Sequence, residues 1–149
     1  GIMKQTIHYL LMADHLLFQK SLLASLKDSN LELTPGQPKI LDYLLDHDGV
    51  AQKEIAKSCY MEPATITSIL LGMENKELIV RKNLNGNRRS LYVFLTDKGE
   101  LLAEQVKQKF EAIEEMALLG FDEKEKEMLN VFLENINKNM YGRGVKSDE

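Results

Sequence analysis

The chain has 149 residues, of which 44% are apolar and 28% are charged, and its formal net charge is −4. The apolar content excludes a disordered chain, and the length allows one domain with a real core or a compact unit with dimerisation arms. The single Cys59 excludes an intrachain disulfide framework and a cysteine-rich zinc site, and the three histidines lack metal-ligand spacing. We therefore expect neither a metal nor a cofactor.

The chain carries no targeting or membrane signal that we recognise. No apolar run approaches the length needed to cross a bilayer. The N-terminus also lacks the basic segment followed by an apolar segment that is typical of a secretory signal. We expect a cytoplasmic protein with no membrane partner.

Positive charge is concentrated in one part of the chain. Residues 51 to 98 contain eight Lys/Arg and five Asp/Glu, a local net charge of +3. Because the whole chain has a net charge of −4, the residues outside this segment have a net charge of −7. A basic segment within an otherwise acidic chain is typical of a soluble protein with a surface that faces a polyanion. An excess of three charges can also arise by chance.

The first predicted element is a long helix over residues 6 to 27. Its leucines, its methionine and its phenylalanine cover more than one narrow stripe, so the helix needs two partners. One partner can be the chain's own domain, and the other is most simply a second copy of the chain. The alternative is a larger monomeric core.

A second helix is predicted from Pro35, with Thr34 as its N-cap, to Asp48-Gly49. Two short helices follow, from Ala51 to Tyr60 and from Pro63 to Asn75. Only two residues separate them, which is the helix-turn-helix pattern. The second of these helices has apolar residues at steps of three and four, namely Ile66, Ile69, Leu70 and Met73.

Two strand-like runs surround Asn85-Gly86, a strong hairpin signal, and Val50 can pair with this hairpin. Thr96 then caps a helix that runs to about Leu119, and a last helix ends near Met140. These elements predict a mainly α fold with a small β-hairpin wing, which is a winged helix-turn-helix with terminal dimerisation helices. We assign residues 33–98 to a winged helix-turn-helix DNA-binding domain, and 3–32 and 99–141 to a helical dimerisation region.

Three segments closely resemble the MarR family of bacterial transcriptional regulators. They are LTPGQPKILDYL from Leu33, ATITSILLGMENKELI from Ala64 and NRRSLYVFLTDKGELL from Asn87. The resemblance covers nearly the whole chain. It implies a triangular homodimer on double-stranded DNA, with a recognition helix in each major groove and wings in the flanking minor grooves. It also implies that small aromatic or phenolic ligands, or oxidation, often loosen the DNA.

Three positions differ from the family pattern. Asn87 stands where family wings usually carry the aspartate that holds the second arginine, and Ser68 stands where a basic residue is common, so no arginine reads guanine there. Glu77 replaces a frequent glycine, and it suits this position only if the backbone is not left-handed.

The candidate DNA-binding residues lie on the two short helices and the hairpin. Short hydroxyl side chains can contact base edges or phosphates, and arginines of a hairpin can enter a narrow minor groove. The alternatives are a solvated helix face and charges that protect a sheet edge. The candidates are Gln52, Lys53, Lys57, Pro63, Ala64, Thr65, Thr67, Ser68, Arg81, Arg88 and Arg89.

We predict a sequence-specific, homodimeric transcriptional regulator that binds a pseudo-palindromic operator. By resemblance it is a repressor released by a small aromatic ligand, and the ligand-binding candidates are Tyr9, Met12, His15 and Phe18. The alternatives are a winged-helix protein-interaction module and a redox-controlled regulator. In a redox-controlled regulator Cys59 would be the switch, and otherwise it is a small apolar filler. No Ser/His/Asp set, paired carboxylates or phosphate-binding glycine loop is present in the sequence, so we do not expect an enzyme.

Overall fold

A computed structural model describes residues 5–84, 86 and 89–141. The elements are α1 (Ile7–Asp28), α2 (Gln37–Asp46), β1 (Val50–Ala51), α3 (Gln52–Ser58), α4 (Pro63–Asn75), β2 (Ile79–Lys82), β3 (Tyr92–Leu95), α5 (Asp97–Ala117) and α6 (Glu123–Tyr141). The predicted fold class, mainly α with a small β wing, is confirmed. No helix within the described residues is long and apolar enough to cross a membrane.

The three strands form one antiparallel sheet in the order β1-β3-β2. Val50 lies opposite Val93, and Ile79 lies opposite Leu95. The predicted pairing of Val50 with the hairpin is therefore confirmed. The sheet also anchors the start of α3, because the backbone N–H of Gln52 donates to the Leu91 carbonyl at 2.8 Å.

Helix α4 has the predicted bounds, with Pro63 in its first turn, where a missing amide costs little. Helix α3 is shorter than predicted because it ends at Ser58. Tyr60 then adopts a left-handed conformation with φ +55°, and Met61 N–H donates to the Ala56 carbonyl at 2.8 Å. This turn ends α3 and redirects the chain into α4.

The predicted start of α2 at Pro35, capped by Thr34, is wrong. The helix begins at Gln37, and its N-cap is Gly36 with φ +93°. A side chain at Gly36 would overlap the Ile69 side chain of α4, since an added Cβ would lie 2.8 Å from Ile69 Cδ1. Close packing against α4 and the left-handed backbone together favour glycine at this position.

The end predicted for α2 is also too late, because the helix stops at Asp46. Asp48 accepts a hydrogen bond from the Leu95 backbone N–H at 2.7 Å, and Gly49 has φ +78°. These two residues therefore belong to the connection that leads into the sheet.

The condition stated for Glu77, that its backbone is not left-handed, is not met, since its φ is +61°. Glu77 N–H donates to the Glu74 carbonyl, and its own carbonyl accepts from the Thr96 hydroxyl. The next two residues, Leu78 and Ile79, are buried. The chain thus makes its tight turn from α4 into β2 with a glutamate in the left-handed conformation.

The core lies between α2, α4, α5 and the sheet, and the C-terminal end of α1 joins it. Its most deeply buried members are Leu26, Ile40, Leu41, Leu44, Ile55, Ile66, Leu70, Met73, Leu78, Ile79, Val93 and Val106. Thr96 caps α5 as predicted, because its hydroxyl accepts from the Gly99 backbone N–H at 2.9 Å. Helix α6, all of which is described, contributes no buried residue.

Candidate nucleic-acid interface

Helix α4 presents one buried face and one open face. Ile66, Leu70 and Met73 are buried against the core. The rest of the helix surface is exposed from Pro63 to Ser68. The exposed residues there are Pro63, Ala64, Thr65, Thr67 and Ser68, all of which were predicted to meet DNA. Short polar side chains on an unobstructed helix can approach the edges of bases closely.

A groove with a volume of about 540 Å³ runs beside this helix, between α3, the α3–α4 turn and the base of the wing. Lys53 and Lys57 of α3 line it from one side, and Arg89 lines it from the wing. All three cations are exposed. The structure therefore brings three cations from two separate segments, α3 and the wing, to one groove beside α4, where Glu62 is the only acidic residue among the described lining residues.

One hydrogen-bond network joins three of the predicted residues, Gln52, Thr67 and Arg81. Gln52 Nε2 donates to Thr67 Oγ1 at 3.1 Å, and Arg81 Nη1 donates to Gln52 Oε1 at 3.1 Å. Arg81 also donates to both carboxylate oxygens of Glu74, from Nε at 3.2 Å and from Nη2 at 3.0 Å. The Thr67 hydroxyl in turn donates to the Pro63 carbonyl at 3.0 Å.

Glu74 also belongs to this hydrogen-bond network, and the sequence analysis did not identify it. The hydrogen bonds from Arg81 hold the pKa of the Glu74 carboxyl below its ordinary value of 4.5. The sequence contains a signal for this pair, because a carboxylate near the end of α4 precedes an arginine on the next strand. The pairing itself depends on how sharply the chain turns at Glu77.

The wing is stabilised by local contacts near its open end. The Lys82 ammonium lies 4.7 Å from the centre of the Phe94 ring, and Asn83 Nδ2 donates to the Ser90 carbonyl at 2.9 Å. Gly86 has φ +71°, as a tight hairpin turn requires. The predicted DNA-binding residue Arg88, together with Asn85 and Asn87, lies outside the described residues.

The four candidate ligand-binding residues are all exposed on α1. At roughly 100° per residue, Tyr9 and Phe18 point to opposite sides of the helix, with Met12 and His15 between them. Neither the groove beside α4 nor a second cavity of about 460 Å³ between α1 and α5 is lined by any of these four side chains. A single chain therefore does not gather them into one site.

Cys59 is half-buried at the end of α3, where burial raises the pKa of its thiol above the ordinary value. A raised pKa disfavours the reactive thiolate, which agrees with the interpretation of Cys59 as a small apolar filler. Within residues 5–84, 86 and 89–141, no group of three or more His, Cys, Asp or Glu side chains could hold a metal ion.

One contact joins the helix-turn-helix to the C-terminal helix. Asn137 of α6 donates from Nδ2 to the Tyr60 hydroxyl at 3.1 Å, across 77 positions of the sequence. No periodicity or motif in the sequence predicts this contact, because it joins the polar atoms of two exposed side chains that lie far apart in the sequence.

A supporting helix and a short turn precede the open helix α4, and a two-stranded basic wing follows it. This order defines a winged helix-turn-helix protein. The family model named MarR family matches residues 33–91. The chain is 29% identical over 105 residues to the organic hydroperoxide resistance transcriptional regulator of Bacillus subtilis, covering 62% of this chain and 71% of that protein. It is 30% identical over 102 residues to the HTH-type transcriptional repressor MdtR of the same species, covering 64% and 66%.

The solved structures extend this similarity beyond the central motif. The structure of the S. aureus MepR–DNA complex has 27% identity to this chain and a TM-score of 0.79, over 92% of this chain and 99% of that one. The central part of the chain thus matches the MarR family model, and the relatives to which the chain is similar are transcriptional regulators. These relatives are regulators and not enzymes, as the sequence analysis predicted for this chain.

Proposed function

We propose that this protein is a homodimeric regulator that binds a pseudo-palindromic operator in double-stranded DNA. The observation that carries the proposal is the open polar face of α4 beside a groove lined by Lys53, Lys57 and Arg89. A helix in the major groove can read base edges while cations on either side of it hold the phosphates. The MepR–DNA complex supports the same use of this fold.

The proposed contacts divide into two kinds. Lys53, Lys57, Arg89 and, in the wing, Arg88 would meet phosphates or the minor groove, where negative potential favours arginine. The first turns of α4 would meet base edges. In this assignment residues 33–98 form the DNA-binding domain, and residues 3–32 and 99–141 form the dimerisation region.

Homodimerisation is supported by the apolar side chains that α1 and α6 leave exposed. On α1 these include Leu11, Leu16 and Leu17, and on α6 they include Val131 and Phe132. Apolar surface of this extent on two helices is typical of an interface rather than of a free surface. A second copy of the chain would cover both helices and set two copies of α4 at a fixed spacing.

We also propose that the regulator is a repressor released by a small aromatic effector. The repressor role is supported by the relative MdtR, which is named a transcriptional repressor. For the effector site we retain Tyr9, Met12, His15 and Phe18, and because they lie around α1 the site would need side chains from both copies. An effector releases DNA only if it binds the DNA-incompetent dimer more tightly than the competent one.

Selection of genomic fragments that bind the purified protein tests the DNA-binding proposal. We expect recovery of a near-palindromic sequence whose affinity falls steeply with salt. Arg89→Ala should reduce the slope of log affinity against log salt by roughly one unit, as for the loss of one phosphate contact. Lys124→Ala, which removes one exposed charge from α6, serves as the matched control and should leave the slope unchanged.

The effector proposal has a separate test. A panel of phenolic and aromatic carboxylate compounds is titrated into the protein–operator complex, and Tyr9→Ala and Phe18→Ala are titrated in parallel. We expect at least one compound to lower DNA affinity in the parent protein and to lose potency in both variants. DNA binding that no compound alters would remove the effector, and capture of a protein with no DNA binding would favour a protein-interaction module.

A further inference from the structure

We propose that Gln52 is a positioning residue that couples the wing to α4, and that Arg81 and Thr67 are its two partners. In this role Gln52 and Arg81 set the angle between the wing and the recognition helix and are not independent DNA contacts. The inference rests on the proposed DNA-binding function for its biological meaning. The coupling itself is a property of the protein without DNA.

Gln52 is bonded to β2, to the residue that precedes β3, and to α4. Its side-chain oxygen accepts from Arg81 of β2 at 3.1 Å, and its backbone N–H donates to the Leu91 carbonyl, next to β3, at 2.8 Å. Its side-chain nitrogen donates to Thr67 of α4 at 3.1 Å. Gln52, the first residue of α3, therefore connects α3 to α4 and to the wing, which are the three parts of the proposed DNA-binding surface.

The partners of Gln52 are themselves held. Arg81 forms a bidentate ion pair with Glu74, and its side chain is only 13% exposed. Thr67 is held by the bond from its hydroxyl to the Pro63 carbonyl. To bind a phosphate, Arg81 would have to break its ion pair with Glu74, whose negative charge already offsets its own. An exposed cation such as Lys53 would break no such pair with another described residue.

The two roles of Thr67 predict different DNA-binding phenotypes. If Thr67 reads a base, its loss relaxes preference at one position of each half-site and acts independently of Gln52. If Thr67 holds Gln52, its loss weakens binding to every sequence by a similar factor. The double variant should then be no weaker than Gln52→Leu alone, because both changes break the same connection.

The first experiment measures amide hydrogen exchange in the full-length protein without DNA. In Thr67→Val we expect the amides of β2 and β3 to exchange roughly fivefold faster, as for the loss of one hydrogen bond that holds the wing. Gln52→Leu should have the same effect. Thr67→Ser, which keeps the hydroxyl, should restore the parent rate, and Thr65→Val, an exposed threonine on the same helix, should leave it unchanged.

The second experiment measures affinity of the same variants for the selected operator and for base-substituted copies of it. A uniform loss in Thr67→Val that is not additive with Gln52→Leu supports the coupling. Wing exchange that is unchanged in Thr67→Val overturns the proposal, whether or not Gln52→Leu folds. If the parent protein binds no DNA while the exchange result holds, the coupling stands and the proposed function fails.

Discussion

The centre of the chain and its two ends use apolar side chains in opposite ways. In the winged helix-turn-helix, residues such as Leu44 and Ile55 have no exposed surface, and the core is closed within one chain. On the terminal helices Leu17 is 60% exposed and Phe132 is 55% exposed. The first region can fold around itself, whereas the second has apolar surface that awaits a partner.

The boundary between these regions falls within α1 and not at its end. Leu22 and Leu26 of α1 pack into the same core as Ala103 and Val106 of α5. The N-terminal part of α1 extends beyond that core with its leucines exposed. Helix α1 is therefore anchored at its C-terminal end by the winged core, and α5 is anchored along most of its length, from Gly99 to Ile113.

The largest effect that we predict comes from a single methyl group at the centre. A Cβ at Gly99 would overlap the carbonyl oxygen of Leu78, where α5 begins against β2. Because backbone cannot yield as a flexible side chain can, Gly99→Ala should lower the free energy of unfolding by about 3 kcal/mol or more. Urea denaturation measures it.

The adjacent exposed position provides the control for Gly99. Glu100→Ala should change the free energy of unfolding by no more than about 0.5 kcal/mol, as is usual for surface positions. Equal stability of Gly99→Ala and the parent protein would show that the start of α5 can move away from Leu78. In that case the central core would be less closed than the structure indicates.

How far the sequence predicts this molecule depends on the range of the interactions. Helix α4 and the cap at Thr96 were predicted correctly, because apolar spacing and capping are local signals. The predicted start of α2 was wrong because the left-handed Gly36, which packs against Ile69 far along the chain, begins the helix two residues later. Local capping rules contain no information about such a contact.

The candidate site shows the same division. Residue type and spacing placed the exposed threonines of α4 and the cations of α3 and the wing on one surface. They could not show that Arg81 is paired with Glu74, or that Gln52 connects Arg81 to Thr67. Those bonds depend on the left-handed turn at Glu77, where the residue type favoured the opposite conformation.

The second prediction tests the terminal surface. Leu17→Glu or Phe132→Glu would place a charge within the proposed dimer interface, and each should raise the dimer dissociation constant roughly 30-fold or more, about 2 kcal/mol. Sedimentation over a concentration series measures this. The winged region should remain folded in these variants because its core is internal to the chain.

The control for the interface is another exposed leucine, in the centre of the molecule. Leu71→Glu on α4 changes the same residue type at 50% exposure and should leave the dimer intact. A parent protein that sediments as a folded monomer at micromolar concentration would contradict the proposal for the terminal helices, and their exposed surface would then need another occupant.

The third prediction concerns acid and the Glu74–Arg81 pair of the central region. The pKa of Glu74 is lowered in the folded state, so its stabilisation is complete above its ordinary pKa of 4.5 and is lost as the pH falls through the lower folded value. Glu74→Gln should therefore be less stable than the parent at pH 7, by up to about 1 kcal/mol for a partly exposed pair. The difference should shrink below pH 4.5.

Asp42 provides a control of opposite sign. Burial, with Asp46 nearby, raises its pKa above 3.8, so the ionised form weakens the folded state at neutral pH. Asp42→Asn should gain stability at pH 7, and the gain should disappear in acid. Urea midpoints across the pH range distinguish the two variants, and parallel curves for both would show that neither carboxyl contributes.

The smallest effect is expected at Glu77, where the central region imposes a left-handed backbone on an unfavourable residue. A residue with a Cβ costs about 1–2 kcal/mol in this conformation, and the greater chain entropy that glycine loses on folding offsets about 0.5–1 kcal/mol of the gain from relieving that cost. Glu77→Gly should therefore raise the free energy of unfolding by a few tenths of a kcal/mol to about 1 kcal/mol. Asn75→Gly, in the right-handed last turn of α4, should lower it by about 0.5–1 kcal/mol. The conformation at Glu77 persists because Leu78 and Ile79 are buried directly after it and the Thr96 hydroxyl holds its carbonyl. Equal losses in the two glycine variants would mean that the turn carries no strain, and that the core does not determine the backbone at Glu77.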